Sequence, residues 1–190
     1  MREATPEEAD RFIGYMSRGL GARIATRTDT VEFRLIQAML AALGLPDLTK
    51  ELDGRSFTIG PLVYLRPGLS PDETIKTTVH ECCHTRQWRQ DGLDFAYFYA
   101  TVGEKRVAYE VEGFGAAAEL QFARTRSLPS LDQFTDSLAH GYALGSSDLQ
   151  LARGLFESRA TSIVDGIVST VEAQYGIDLL RTHFPELLAT

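Results

Sequence analysis

Apolar residues recur along this chain mostly at helical spacing, and the clearest exception is one short stretch that reads as strand. Thr5-Pro6-Glu7-Glu8 combines an N-cap, a proline at the first helical position and a capping-box glutamate. These predict a helix to about Gly21 with Phe12, Tyr15, Met16 and Leu20 inward. A second helix is expected from Asp29 to Gly44, carrying Phe33, Ile36, Met39, Leu40 and Leu43 on one stripe. From Ser56 to Arg66 the run SFTIGPLVYLR is β-branched and aromatic, and Gly60-Pro61 interrupts it. Two short strands or one bent edge strand should form there. Ser70-Pro71-Asp72-Glu73 repeats the capping logic and opens a helix expected to stop at Asp91-Gly92.

The segment LDFAYFYATVG, with Phe95, Tyr97, Phe98 and Tyr99, fits a short helix or an extended cover, as core wall rather than substrate subsite. Between Glu104 and Arg126, Val107, Val111, Phe114, Ala118 and Phe122 mark one helical face. Ser130 with Gln133 and Ser147 with Gln150 form two more capping boxes, and glycines 145 and 176 are expected breaks. The C-terminal helices should then cover 130–144, 147–175 and 177–188. The pattern as a whole predicts an α+β fold, predominantly helical, with a small antiparallel sheet or edge strand beside the helix over 71–90.

At 190 residues with 44% hydrophobic content, the chain can bury one core and is short for two domains. One domain is expected: a helical scaffold over 1–50, a central portion over 56–126 and a helical half over 127–190. The net charge of −7, with scattered basic residues, argues against nucleic acid and anionic membranes as partners. The N-terminal stretch lacks a basic segment followed by an apolar run, and nothing later is long enough to span a bilayer. Two adjacent cysteines cannot build a disulfide framework. A cytoplasmic location is therefore expected.

The chemistry concentrates at His80-Glu81-Cys82-Cys83-His84, an HExxH sequence on the helix that opens at Pro71. Residues four apart share a helix face, so His80 and His84 can grip one ion while Glu81, one step round, serves as general base toward a water. Zinc is the expected cofactor. Turning about 100° per residue, Cys82 projects away from the histidine edge and Cys83 lies between faces, so both are expected to fill space rather than bind metal.

The third ligand is sought on the 104–126 helix. Glu110 falls about 60° from the centre of its apolar stripe, whereas Glu112 points nearly opposite, toward solvent. A carboxylate beside a buried stripe needs a partner, and a metal ion or Arg106, one turn earlier, would serve. Oxyanion or substrate contacts could come from Tyr97, Tyr99, Tyr109, His140 or Tyr142, with His140-Gly141-Tyr142 favoured for its place in the C-terminal half.

His80-Glu-Cys-Cys-His84 followed by Arg106-Val-Ala-Tyr-Glu110-Val-Glu112 resembles the gluzincin group of zinc metallopeptidases. The extended form HExxH-x-x-Q, with Gln87, is similar to short bacterial and phage-associated peptidase-like domains. The likeness covers about a third of the chain, from Ser56 to Phe122. It implies zinc held by His80, His84 and Glu110, water activated by Glu81, and a peptide or protein substrate. Glu110 lies farther after the motif than in thermolysin-like enzymes, and Gly113 stands where related domains often read ExEA or ExxAD. A metal-stabilised module without turnover, structural or sensory, is the competing expectation.

Overall fold

The computed structural model describes residues 2–26, 34, 38, 54–142 and 144–189. Helix α1 runs over Pro6–Leu20; Thr5 caps it with a full capping box, and Gly21 ends it in the left-handed conformation. The helix expected over 29–44 lies outside the described residues apart from Arg34 and Ala38. Strands β1 (Arg23–Thr26), β2 (Phe57–Ile59) and β3 (Leu62–Leu65) form one sheet in the order β1-β3-β2. The Ser56–Arg66 stretch is thus two strands, an antiparallel hairpin turned at Gly60-Pro61 that pairs Thr58 with Val63. The sheet is mixed rather than purely antiparallel, because β1 runs parallel to β3 with Arg23 opposite Leu62.

Six further α-helices follow among the described residues: α2 (Pro71–Asp91), α3 (Leu93–Thr101), α4 (Gly103–Thr125), α5 (Leu131–Tyr142), α6 (Ser146–Val164) and α7 (Val171–His183). Ser70 and Glu73 form the capping box that starts α2. From Thr78 to Thr85 every residue of α2 is buried, which makes it the central rod of the fold. One cluster gathers Phe12 and Met16 of α1, Val63 and Leu65 of β3, Val79 and Cys82 of α2, and Ile177 and Leu180 of α7. A second joins Val107 and Val111 of α4 to Phe134 and Leu138 of α5 and Phe156 of α6. Helix α4 belongs to both, giving Ala116 and Leu120 to the first and Ala118 to the second.

The C-terminal half departs from the expected boundaries. The long helix breaks near Gly166, whose φ of 82° suits a residue without Cβ, and Gly176 lies inside α7. A Cβ on Gly176 would sit 3.3–3.4 Å from Leu120, Val79 and Phe12, so this glycine serves close helix packing rather than termination. Ser130 and Gln133 exchange the predicted capping hydrogen bonds, but α6 has Gly145 as its N-cap with no side-chain hydrogen bond, so the Ser147 box is not used. No helix among the described residues is long and apolar enough to cross a membrane.

Candidate metal centre

Helices α2 and α4 lie side by side, and their facing residues bring three ligand groups together. His80 and His84, one turn apart on α2, put their Nε2 atoms 3.1 Å from each other. Glu110, fully buried on α4, places Oε2 3.4 Å from His80 Nε2 and Oε1 3.3 Å from His84 Nε2. Each histidine thus faces its own oxygen of the Glu110 carboxylate. Among the described residues, His80, His84 and Glu110 form a group whose ligand atoms gather within 4.8 Å.

The hydrogen bonding around the triad leaves the donor atoms facing one another. Tyr99 Oη donates to Glu110 Oε1, while Oε2 is buried without a hydrogen-bond partner. A buried carboxylate that turns Oε2 to His80 and Oε1 to His84, with Oε2 left without a hydrogen bond, suits a cation. In the metal-free chain a proton answers that need. Burial lowers the pKa of His84, but the Glu110 carboxylate outweighs it and raises the imidazole to about 9. Burial pushes Glu110 up, yet His84 and His80 together hold it well below the usual carboxylate range.

Gln87 fixes the tautomer of His84. Its Nε2 donates to Glu112 Oε2 at 2.7 Å and to the Tyr109 carbonyl at 3.2 Å, both pure acceptors. Its Oε1 must therefore face His84 Nδ1, 2.7 Å away, so Nδ1 carries a proton and, in the neutral ring, Nε2 presents its lone pair. Glu112 also accepts from Arg86 at 2.7 Å, and Arg86 reaches Glu172 of α7 at 2.8 Å. Glu112 is thus half-buried and turned to α2, not to solvent, because α4 packs that flank against Arg86 and Gln87. Glu110 is the ligand candidate, as the helical phase indicates.

Gly113 belongs to the centre as well. A Cβ there would stand 3.0 Å from Cε1 and Nδ1 of His80, so the glycine makes room for the imidazole. The other side of the ring meets Phe114 edge-on at 4.7 Å.

Glu81 is 4% exposed and lies beside the triad rather than in it. Thr58 of β2 donates from Oγ1 to Glu81 Oε2 at 2.8 Å. Burial raises the pKa of Glu81, opposed by His80, His84 and the Thr58 hydrogen bond. Glu81 and His80 open onto a cleft of about 790 Å³, with Phe114 and Gln121 on one wall and Ser56 on the hairpin rim.

The tyrosine candidates separate clearly. Tyr99 touches the triad; Tyr109 turns to the end of α2, where its hydroxyl donates to Asp91 at 2.7 Å and its pKa, chiefly through burial, rises to about 12. Tyr97 is exposed, and the side chains of His140 and Tyr142 lie outside the described residues. Arg106 donates to the carbonyls of Tyr99 and Ala100, bracing the end of α3. Cys82 packs in the core, and Cys83 Sγ approaches Glu172 at 3.4 Å, so neither cysteine joins the triad. Thr58 escaped sequence reading; its only signal is a hydroxyl in the strand preceding the motif. No protein-family model matches the chain, and neither curated proteins nor solved structures give a match.

Proposed function

We propose that this chain is a zinc-dependent metallopeptidase of gluzincin type, acting on a peptide or protein. His80, His84 and Glu110 would hold the ion, and Glu81 would take a proton from the attacking water. The observation that carries this reading is the buried convergence of two imidazole nitrogens and one orphaned carboxylate oxygen, with a second carboxylate beside them at the mouth of a cleft.

Zinc, when bound, supplies Lewis-acid polarisation of a carbonyl and stabilises negative charge developing on its oxygen. The chain's own groups supply the rest. Glu81, with its affinity for protons raised by burial, is suited to accept one from water and return it to a leaving amine. Thr58 fixes the direction of that carboxylate from the strand. Strand β2 is an edge of the sheet among the described residues. An extended peptide pairing with it would cross the Glu81 end of the cleft. A reducing, cytoplasmic setting suits two buried free cysteines.

One observation favours a structural role instead. The ligands tie α2, in the first hydrophobic cluster, to α4, which belongs to both, so an ion there would also brace the fold. Metal analysis and turnover separate the readings. The peptidase reading expects about one zinc per chain, kept in Glu81→Ala, lost in His84→Ala, and peptide cleavage abolished in both. Zinc loading without any cleavage would leave the bracing role, and absence of zinc at neutral pH would refute both.

A further inference from the structure

The hydrogen bonding that orients His84 continues past Gln87 to helix α7. Glu172 stands in the first turn of α7 with its side chain 3% exposed, and it meets α2 at two points. Its Oε1 accepts from Arg86 Nε at 2.8 Å, and the Cys83 thiol approaches Oε2 at 3.4 Å. These contacts fall on the residue before His84 and on the second residue after it. Resting on the reading of His84 as a zinc ligand, we propose that Glu172 and Arg86 are positioning residues of the metal centre, acting on His84 through Glu112 and Gln87.

Each link in this series has a fixed direction. Arg86 carries only N–H donors, so both of its neighbours must accept: Glu172 from Nε, and Glu112 Oε1 from Nη2 at 2.7 Å. Glu112 turns its other oxygen, Oε2, to Gln87 Nε2 at 2.7 Å. The Gln87 amide is thereby kept with Oε1 toward His84 Nδ1. Exposure rises along the series, the side chains of Glu172, Arg86 and Glu112 being 3%, 25% and 37% exposed. Glu172 is therefore the anchor, a buried carboxylate whose place near a helix N-terminus favours its charge. Glu112 has the most freedom and relies on Arg86 to stay at Gln87. Arginine suits that post because its planar fork serves two carboxylates at once, which the single ammonium of lysine does not reproduce. The Tyr109 carbonyl also accepts from Gln87, at 3.2 Å, so losing the anchor would loosen the amide without freeing it.

A double-mutant cycle on zinc affinity tests this, read by competition against a chromogenic chelator, with circular dichroism and a melting curve for each variant. Glu172→Gln and Arg86→Lys should each weaken zinc binding about three- to tenfold, less than Gln87→Leu does. In the Gln87→Leu background neither should weaken it further, because the path to His84 is already cut. Glu119→Gln is the control. Glu119, on α4, accepts from Ser169 Oγ at 2.9 Å and Thr170 Oγ1 at 2.7 Å, and so holds the same end of α7 by another route. That variant should melt at a lower temperature with zinc affinity unchanged. Where Glu172→Gln fails to fold, Arg86→Lys carries the cycle alone. Wild-type affinity in Glu172→Gln or Arg86→Lys, losses that add to that of Gln87→Leu, or an equal loss in Glu119→Gln would overturn the inference and leave the zinc site standing. A wild-type chain that takes up no zinc overturns the metal-site reading itself, and the inference with it.

Discussion

Replacing Gln87 by leucine tests the site through a residue outside the proposed ligand set. The side chain is 2% exposed, and its amide is held between His84 Nδ1 at 2.7 Å and Glu112 Oε2 at 2.7 Å. Leucine keeps much of the volume but removes the acceptor, leaving the Nδ1–H of His84 buried without a partner and its ring free to change tautomer. Loss of such outer partners typically weakens metal binding by about 10–100-fold, or ~1.4–2.7 kcal/mol. The assay is a competition titration of zinc against a chromogenic chelator, with circular dichroism to confirm folding. Gln87→Glu should fall between, because its carboxylate still accepts from Nδ1–H but confronts Glu112 where the amide now donates. Wild-type zinc affinity in Gln87→Leu would refute the argument that Gln87 orients His84.

Gly113→Ala should cost about 1–3 kcal/mol of stability and weaken zinc binding, because the new methyl meets the His80 ring; an unchanged denaturation midpoint would contradict this. Thr58→Val removes a hydrogen bond that lowers the pKa of Glu81, so the acidic limb of the pH–rate profile should move to higher pH with zinc content intact. In chelator-treated protein, His84 has its pKa raised from 6.5 to about 9, so its contribution to stability is full below 6.5 and is lost as pH rises through 9. Glu110, depressed from 4.5, contributes above that value and loses its contribution only as pH falls through its lowered pKa. The metal-free melting temperature should therefore decline between pH 6.5 and 9, a decline that zinc should abolish by binding neutral His84; a flat metal-free profile would count against the pair.

Much of this centre is written in local periodicity. The turn between His80 and His84, the capping box at Ser70 and the phase that selects Glu110 each depend on neighbours within one helix, so sequence spacing reveals them. Glu112 was harder, because its direction is settled by Arg86 and Gln87 on another helix rather than by its own stripe. Strand β1 is four residues long and finds its partner across the chain at Leu62, which leaves too little alternation to recognise. Gly166 and Gly176 look alike in sequence, yet one terminates a helix through a positive φ and the other admits three neighbouring side chains. The role of Thr58 appears only when β2 is laid against α2.

That hydroxyl gives the hairpin turn an influence beyond the sheet. Thr58 pairs with Val63 across Gly60-Pro61 and at the same time holds Glu81. Since successive strand residues face opposite ways, sliding β2 by one position would bring Phe57 or Ile59 to Glu81 in place of the hydroxyl. The number of residues in a surface turn thus acts as a length standard for the carboxylate. An insertion at the turn could leave every named site residue in the sequence and still detune the centre, so variation in that loop carries meaning that a motif search would pass over.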